Sequence, residues 1–340
     1  MKIKAVQVTE PKKIQIVEVD KPEIKNQDEV MIRVKVAGIC GSDVHIYHGT
    51  NPMATYPRII GHEFAGEIVE IGNDVTKVSV GDRVVGEPIF YCGECYACKS
   101  GRPNVCENLE VLGVHRDGGM QEYVVLPESK VHAIGNDVEW EVATMVEPFT
   151  IAAQSTWRGD VKAGETVLIM GAGPIGMGIL QYSKYKGATC IVSDIDNERL
   201  EEAKAMGADY VINPMEVDVV EKALELTGGS GPNVTIDSAC TLRTFEQAVE
   251  VTSPAGRVVV LGFNVEPSQI PQLLITKKEL TIVGSRLQTS KFPEVIELFN
   301  KGVLNPKVLV THSFLFTEVE KAMAVIEDKN IKKNKVILTF

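Results

Sequence analysis

The stretch VLIMGAGPIG at residues 167–176 is the clearest indication of how this chain folds. A short apolar run is followed by G-x-G-x-x-G, whose glycines are Gly171, Gly173 and Gly176. The first glycine permits a tight turn, the second lets the backbone approach a pyrophosphate, and the third allows a helix to pack closely on a strand. The stretch therefore predicts a strand, a turn and the N-terminus of a helix, where free N–H groups favour anions.

Further apolar strands, separated by helical segments, continue this pattern: CIVSD, YVIN, VTID, VVVLG and LTIVG. Together with VLIMG they indicate a doubly wound parallel sheet. The second strand ends at Asp194, where a carboxylate is expected to accept hydrogen bonds from the adenosine ribose and to repel a 2′-phosphate. NAD is therefore favoured over NADP. Arg199 is an argument for NADP, because a nearby arginine can bind a 2′-phosphate. Alternatively, Arg199 is a solvated helix residue that covers the face of the adenine.

The first 150 or so residues alternate apolar and polar side chains with period two, as in KIKAVQV, IQIVEV and EVMIRVKVAG. This pattern predicts a twisted antiparallel β domain. Two helical segments, around residues 293–301 and 318–328, and a final strand, KVILTF, follow the parallel sheet, and we expect this tail to rejoin the first domain. The predicted domains are residues 1–150, completed by residues 286–340, and residues 151–285.

The composition is that of a globular protein, with 340 residues, 44% hydrophobic and 24% charged. A net charge of −11 argues against nucleic-acid or anionic-membrane binding, because both reward cationic surfaces. The N-terminal residues form an alternating strand pattern and not a signal peptide, and the most apolar stretch is too short to span a bilayer. We therefore expect a soluble protein in the cytoplasm.

Four of the seven cysteines form one cluster, Cys92, Cys95, Cys98 and Cys106, with the spacing C-x2-C-x2-C-x7-C. Four thiolates so spaced can fill the tetrahedron of a zinc ion and leave no open position for chemistry. The alternatives are a disulfide pair or unliganded thiols, but a reducing compartment favours the metal. The cluster therefore predicts a structural zinc site.

A second group of metal-binding residue types lies upstream, at Cys40, His62 and Glu63. A catalytic zinc needs few protein ligands and one exchangeable position, which this group could provide. Each residue alone would more often be a packing or a satisfied polar residue. Three polar residues that closely follow Cys40 favour the functional interpretation: Ser42, Asp43 and His45.

The motifs resemble, in order and over essentially the whole chain, those of the zinc-containing medium-chain dehydrogenase/reductase family. They are GICGSDVHIYHG, PRIIGHEFAGEIVEIG, the four-cysteine loop, MVEPFTIA and GAGPIG. The resemblance implies an α/β protein with a GroES-like catalytic domain and an NAD-binding Rossmann domain. At the position of Glu147, in MVEPF, the chain resembles the sorbitol and threonine dehydrogenase branch of the family. The liver alcohol dehydrogenase branch has a cysteine at the position that looks equivalent. Within the sorbitol and threonine dehydrogenase branch the chain resembles the bacterial L-gulonate/L-galactonate 5-dehydrogenase group.

For the metal centre, the resemblance implies that Cys40 and His62 bind the catalytic zinc. Glu63 is either the third ligand or a hydrogen-bonded neighbour, and Glu147 either binds the zinc or holds its water. Asp43 would orient the imidazole of His62. Two zinc ions per chain are expected, one at this centre and one on the four-cysteine loop.

The resemblance also implies a proton path in which Ser42 accepts the hydroxyl proton of the substrate and His45 passes it to solvent. Arg286 matches a position near the zinc and the nicotinamide. The complete set of expected NAD-binding residues is Gly171, Gly173, Pro174, Ile175, Gly176, Asp194, Arg199, Gly262, Ser285 and Arg286.

The substrate is expected to be a small polyol or sugar acid. An acidic sugar needs a cation, and Arg116 is the predicted carboxylate partner, although Arg58 competes for this role and Arg116 could instead tie a loop. His48 and His115 are the other expected substrate contacts. Sorbitol, threonine or simple alcohol oxidation are alternatives with the same machinery, and a non-catalytic NAD-binding regulator is a remote one. A homodimer or homotetramer is expected, with pairing across the edge formed by residues 257–262 or 280–284.

Overall fold

The computed structural model describes all residues from Met1 to Phe340. They form two compact units, the first made of Met1–Glu147 and Phe292–Phe340 and the second of Pro148–Lys291.

The N-terminal part of the first unit consists mainly of strands. These are β1 (Lys2–Glu10), β2 (Lys13–Asp20), β3 (Glu29–Ile39), β4 (Arg58–Ile59), β5 (Glu63–Ile71), β6 (Arg83–Gly86), β7 (Ile89–Phe90), β8 (Glu110–Val111), β9 (Tyr123–Pro127) and β10 (Val131–Ala133). Short helices interrupt them, namely α1 (Gly41–His48), α2 (Tyr96–Lys99) and α3 (Trp140–Ala143), and α4 (Val146–Arg158) follows. The predicted boundary at residue 150 thus falls inside α4.

The second unit alternates strands and helices. They are β11 (Thr166–Met170), α5 (Pro174–Tyr185), β12 (Thr189–Ser193), α6 (Asn197–Ala205), β13 (Tyr210–Ile212), α7 (Val219–Leu226), β14 (Val234–Asp237), α8 (Leu242–Val251), β15 (Arg257–Val260), α9 (Gln272–Lys278) and β16 (Thr281–Gly284). The strands form one parallel sheet in the order β13-β12-β11-β14-β15-β16. This is the doubly wound sheet that the alternating apolar runs predict.

The C-terminal residues belong to the first unit and contain α10 (Phe292–Asn300), β17 (Val310–Leu315), α11 (Val319–Glu327) and β18 (Lys335–Thr339). Strand β18 pairs antiparallel with β3 and lies between β3 and β17 in a seven-stranded sheet, whose main path is β10-β6-β5-β3-β18-β17 and whose seventh strand, β9, also pairs with β3. Smaller sheets join β2-β1-β4 and β7-β8.

The C-terminal residues add one parallel pair to the otherwise antiparallel strands of the first unit, since β17 and β18 run in the same direction. Parallel neighbours need a crossover connection, and α11 lies between these two strands in the chain. The period-two pattern indicates which face of a strand is buried but not the direction of its neighbour, so the sequence could not show this.

Each unit has its own apolar core. In the second unit, apolar residues from the sheet pack with α7 and α8 in one buried cluster that includes Leu168, Ile191, Val220 and Val258. Helix α5 begins with Pro174, and α6 is capped by the Asp196 carboxylate, which accepts a hydrogen bond from the Glu198 N–H at 2.9 Å. No helix in the structure has the length and apolar character of a membrane span.

Candidate functional site

Three neighbouring strands of the first unit bring the metal-binding residue types together. Cys40 directly follows β3, and Glu63 is the first residue of β5. Strands β5 and β18 flank β3 and run antiparallel to it, so their first residues lie at the end where β3 finishes. Lys335, the first residue of β18, therefore lies at the same edge.

The predicted catalytic donors converge in this place. A ligand atom each from Cys40, His62 and Glu63 lies within 4.8 Å of the others. His62 and Glu63 are buried, with 6% and 2% of their surface exposed. Ser42 joins them, since its Oγ lies 3.3 Å from Nε2 of His62.

Asp43 is fully buried and joins the two separate segments of the chain that carry Cys40 and His62. Its Oδ2 accepts a hydrogen bond from the N–H of Cys40 at 2.8 Å, and its Oδ1 accepts one from the N–H of Gly61 at 3.1 Å. The same Oδ1 is 3.8 Å from Nδ1 of His62, a buried atom that has no hydrogen-bond partner. Asp43 thus lies where it can orient the imidazole, as the resemblance implies.

The charges of the cluster indicate a place for a cation. Burial lowers the pKa of His62, but the electrostatic interactions with Cys40 and Asp43 beside it outweigh burial and raise the pKa well above its usual value. Burial raises the pKa of the Asp43 carboxyl. Burial also raises the pKa of Glu147 to about 7, with Glu63 and Asp43 adding to the effect. Buried anions concentrated in this way are stabilised by a bound metal ion.

The donor set fits zinc, because one thiolate, one imidazole and one carboxylate leave the fourth tetrahedral position open. Glu147, the second residue of α4, is buried and close enough for its charge to act on His62. It is not among the residues whose donor atoms converge. This arrangement favours Glu63 over Glu147 as the third ligand.

Lys335 is a member of the site that sequence reasoning missed. Its Nζ donates to both carboxylate oxygens of Glu63, at 2.7 and 2.6 Å, and the lysine is 4% exposed. Burial lowers the pKa of Lys335, but the Glu63 and Cys40 charges outweigh burial and raise it. The only signal in the sequence is a lysine at the start of an apolar strand, and two other lysines stand within three residues of it.

The four-cysteine loop forms a second, separate group, in which the Sγ atoms of Cys92, Cys95, Cys98 and Cys106 lie within 4.8 Å of one another. Backbone N–H groups point at the sulfurs, for example from Cys95 to Cys92 at 3.4 Å. Such contacts from Cys98 and from residue 107 lower the pKa of the Cys95 thiol to about 6, whereas desolvation and the neighbouring sulfurs raise the pKa of the Cys98 thiol to about 12 in the absence of a metal ion. Thiolates are the metal-binding form of cysteine, so this loop also fits zinc.

The glycine-rich turn of the second unit has the shape that a dinucleotide needs. Gly173 precedes α5 as its N-cap residue, and a Cβ placed on it would meet no atom within 4 Å. A Cβ on Gly176 would lie 1.8 Å from the carbonyl oxygen of Gly171. The second glycine therefore leaves room for a ligand against the backbone, while the third is required by the packing of the turn.

Asp194 lies beside this turn, after β12. Its Oδ2 accepts a hydrogen bond from the N–H of Ala172 at 2.7 Å, and its Oδ1 accepts one from the backbone N–H of Asp196 at 3.0 Å. Arg199 is 3.9 Å from the Asp196 carboxylate, so an acidic residue already faces it. A carboxylate at this position favours a ribose hydroxyl over a ribose phosphate.

The other residues expected to bind NAD lie in the second unit. Ser285 follows β16, and its N–H donates to the carbonyl of Val260 at 2.9 Å. Gly262 follows β15 and lies against Cys240, with 3.3 Å between its would-be Cβ and that side chain. The remaining members lie at the start of α5 and after β16: Pro174, Ile175 and Arg286.

The predicted substrate residues all have protein partners. Arg116 pairs with Glu110 at 3.1 Å and lies over the ring of Phe90. His115 accepts a hydrogen bond at Nδ1 from the N–H of Val111. Arg58 pairs with Asp117 at 3.0 Å. His48 pairs with Glu327, also at 3.0 Å.

Two family models match the chain, one in each half. The family described as "Alcohol dehydrogenase GroES-like domain" matches residues 26–136, and the one described as "Zinc-binding dehydrogenase" matches residues 174–301. The starvation-sensing protein RspB of Escherichia coli K12 is 46% identical over 340 residues, which is 99% of each chain.

Relatives with other names are also similar over most of their length. The sorbitol dehydrogenase of Halalkalibacterium halodurans is 36% identical, covering 94% of each chain. The L-galactonate-5-dehydrogenase of Escherichia coli K12 is 33% identical, covering 93% of each chain.

Among solved structures, an alcohol dehydrogenase (rspB) of Escherichia coli CFT073, in complex with NADH, has a TM-score of 0.94 and 45% identity. The match covers 100% of this chain and 99% of that one. The predicted fold class and the predicted resemblance are confirmed. The chain therefore belongs to the zinc-containing medium-chain dehydrogenase/reductase family of zinc-dependent alcohol dehydrogenases.

Proposed function

We propose that this enzyme oxidises a secondary alcohol of a polyol or sugar acid to the ketone and transfers the hydride to NAD⁺. The substrate class is an aldonate such as L-gulonate or L-galactonate, oxidised at C5. The observation that carries the reaction class is the convergence of Cys40, His62 and Glu63 in a buried cluster. These three donors would hold a zinc ion and would leave a position for the hydroxyl of the substrate.

Zinc, when bound there, supplies Lewis-acid chemistry that lowers the pKa of an alcohol and polarises a ketone in the reverse direction. The chain's own residues then manage the proton. Ser42 is half-buried beside His62, and its hydroxyl can accept the proton of the substrate. His45 lies three residues later on the same helix, α1, and is exposed, with Nδ1 3.0 Å from Oγ1 of Thr50. The pair thus leads from the buried donors to solvent.

The proposal of NAD rests on the second unit. The open space at Gly173 admits a pyrophosphate at the N-terminus of α5, where backbone N–H groups favour anions. The Asp194 carboxylate beside the turn favours a cofactor with a free ribose hydroxyl. The NADH complex of the related rspB protein supports this choice.

The proposal of a sugar acid rests on the L-galactonate-5-dehydrogenase relative and on Arg116. Arg116 and Glu110 are 47% and 49% exposed, so their ion pair is weak and Arg116 could exchange Glu110 for the carboxylate of a substrate. The sorbitol dehydrogenase relative favours a neutral polyol instead. Threonine or a simple alcohol would use the same catalytic residues.

Assembly and location stay predictions. Strand β16 is at the end of the parallel sheet and pairs only with β15, so its free edge is available to a second copy in a homodimer or homotetramer. All seven cysteines are free, as expected for a protein of the cytoplasm.

The test is NADH formation, followed by absorbance, with the zinc-loaded enzyme and one substrate at a time. The substrates are L-gulonate, L-galactonate, D-sorbitol, L-threonine and a simple secondary alcohol. We expect the highest kcat/KM with an aldonate, activity that is lost on chelation and restored by zinc, and a KM for the aldonate that rises about tenfold or more in Arg116→Ala.

D-Sorbitol is the internal control, since Arg116→Ala should leave its KM unchanged. Higher kcat/KM with sorbitol or threonine would contradict the sugar-acid proposal and leave the reaction class in place. Failure of all five substrates would contradict the proposed substrate class altogether.

A further inference from the structure

The ion pair between Lys335 and Glu63 is deeply buried in the first unit and involves a proposed metal ligand. The side chains of Lys335 and Glu63 are 5% and 2% exposed. Nζ of Lys335 donates to both oxygens of the carboxylate and lies 3.5 Å from the carbonyl oxygen of Ile39. Lysine is almost never buried without a partner, because its ammonium group is costly to remove from water.

A second buried pair in the same unit shows what such a pair does without a metal ligand. Lys130 is 8% exposed and pairs with Glu87 at 3.2 Å. The Glu87 carboxylate also lies 2.9 Å from Nε2 of His132. None of these residues lies in either group of converging metal donors. The Lys335 pair differs from it because the carboxylate that it holds is itself one of the converging donors.

A carboxylate oxygen has lone pairs for more than one partner, so Glu63 can accept from Lys335 and still face a metal ion. The ammonium group beside it weakens the carboxylate as a donor and repels a second cation in a region of low dielectric constant. Lys335 and a metal ion can therefore bind the same carboxylate together, but each weakens the interaction of the other with it.

We propose that Lys335 is a positioning residue that shares the Glu63 carboxylate with the catalytic metal and keeps Glu63 a weak, releasable ligand. This inference rests on the proposed metal centre at Cys40, His62 and Glu63. In this arrangement the C-terminal strand β18 tunes the metal site at the end of β3, although Lys335 itself binds neither metal nor substrate. Without the lysine, Glu63 turns fully to the metal, which is then held more tightly and is a poorer Lewis acid.

A purely structural role for Lys335 leads to a different outcome. A pair that only fastens β18 to β5 would, once broken, loosen the site, so that the metal would leave faster and activity would fall with it. The proposal instead requires metal retention and turnover to change in opposite directions.

The experiment uses Co²⁺ exchanged into the catalytic centre while zinc remains on the four-cysteine loop, with metal content checked by mass spectrometry. Release of Co²⁺ to excess chelator is followed through its thiolate absorption band. In Lys335→Met we expect release to slow by about tenfold, a changed Co²⁺ spectrum, and kcat to fall by about tenfold, the lower end of the usual effects of residues behind metal ligands.

Three variants complete the test. Lys335→Arg retains the positive charge and should keep the wild-type release rate within about twofold. Lys335→Gln removes the charge but keeps a hydrogen-bond donor, and it should also slow the release of Co²⁺. It replaces Lys335→Met in the test if the methionine variant folds poorly. Lys130→Met is the matched control, because it breaks a buried Lys–Glu pair of the same unit and should leave the Co²⁺ spectrum unchanged.

The outcomes separate the inference from the proposed function. Wild-type protein that takes up no thiolate-bound Co²⁺ beyond the four-cysteine loop would overturn the metal centre and the inference together. Uptake in the wild type, with equal or faster release from Lys335→Gln and Lys335→Met, would overturn the inference alone.

Discussion

At the scale of single residues, the site depends on close contacts between side chains of neighbouring strands, such as the 2.6 Å contact between Lys335 and Glu63. Cys40, His62 and Glu63 could be predicted because they stand in short motifs with recognisable chemistry. Lys335 could not, since its role follows from the pairing of β18 with β3, a contact between distant parts of the chain. The same holds for Gly38, which is opposite Glu63 in the pairing of β3 with β5.

Gly38 is predicted to be essential to the metal centre for a steric reason. A Cβ at this position would lie 2.2 Å from Oε2 of Glu63, so Gly38→Ala must displace the carboxylate. We expect this variant to lose metal from the Cys40 centre and at least about tenfold in kcat/KM, measured by metal analysis and steady-state kinetics. Gly41→Ala is the control, because a Cβ there meets nothing within 4 Å. Equal metal content and activity in the two variants would show that Glu63 is free to move or is not a ligand.

At the scale of elements, periodicity predicted most strands and helices of the second unit, because strands buried on both faces read as apolar runs. The parallel pairing of β17 with β18 was not predictable, since it depends on a helical crossover and not on local pattern. The predicted boundary at residue 150 and the division between the two units after Glu147 both fall within α4. Helix α4 begins at Val146, and nothing in its pattern marks the point at which the chain passes to the second unit.

The strand–turn–helix element at β11 and α5 yields a prediction in which two glycines of one motif behave differently. Gly173→Ala fills open space and should raise the Kd for NADH about tenfold or more with little change in the thermal midpoint. Gly176→Ala forces its Cβ onto the Gly171 carbonyl and should lower stability by about 1–3 kcal/mol. NADH titration and thermal unfolding of both variants measure the two effects. A stability loss in Gly173→Ala as large as that in Gly176→Ala would contradict the assignment of the cofactor site.

At the scale of the whole molecule, the two groups of metal-binding residue types and the parallel sheet with its glycine-rich turn are distributed over two units. Both groups of converging donors belong to the first unit, and the glycine-rich turn belongs to the second. A single variant should therefore affect only one of three properties. These are the chemistry at the Cys40 centre, the stability supplied by the four-cysteine loop, and NAD binding.

The most direct test is the zinc content per chain of wild type, Cys40→Ser and Cys95→Ser, measured together with turnover and NADH binding. We predict two zinc ions in the wild type, one for each group of donors. Cys40→Ser should retain only the zinc of the four-cysteine loop, bind NADH normally and show no turnover, whereas Cys95→Ser should mainly lose stability. Near-normal turnover by Cys40→Ser, with both zinc ions still present, would contradict the catalytic metal centre and the function derived from it.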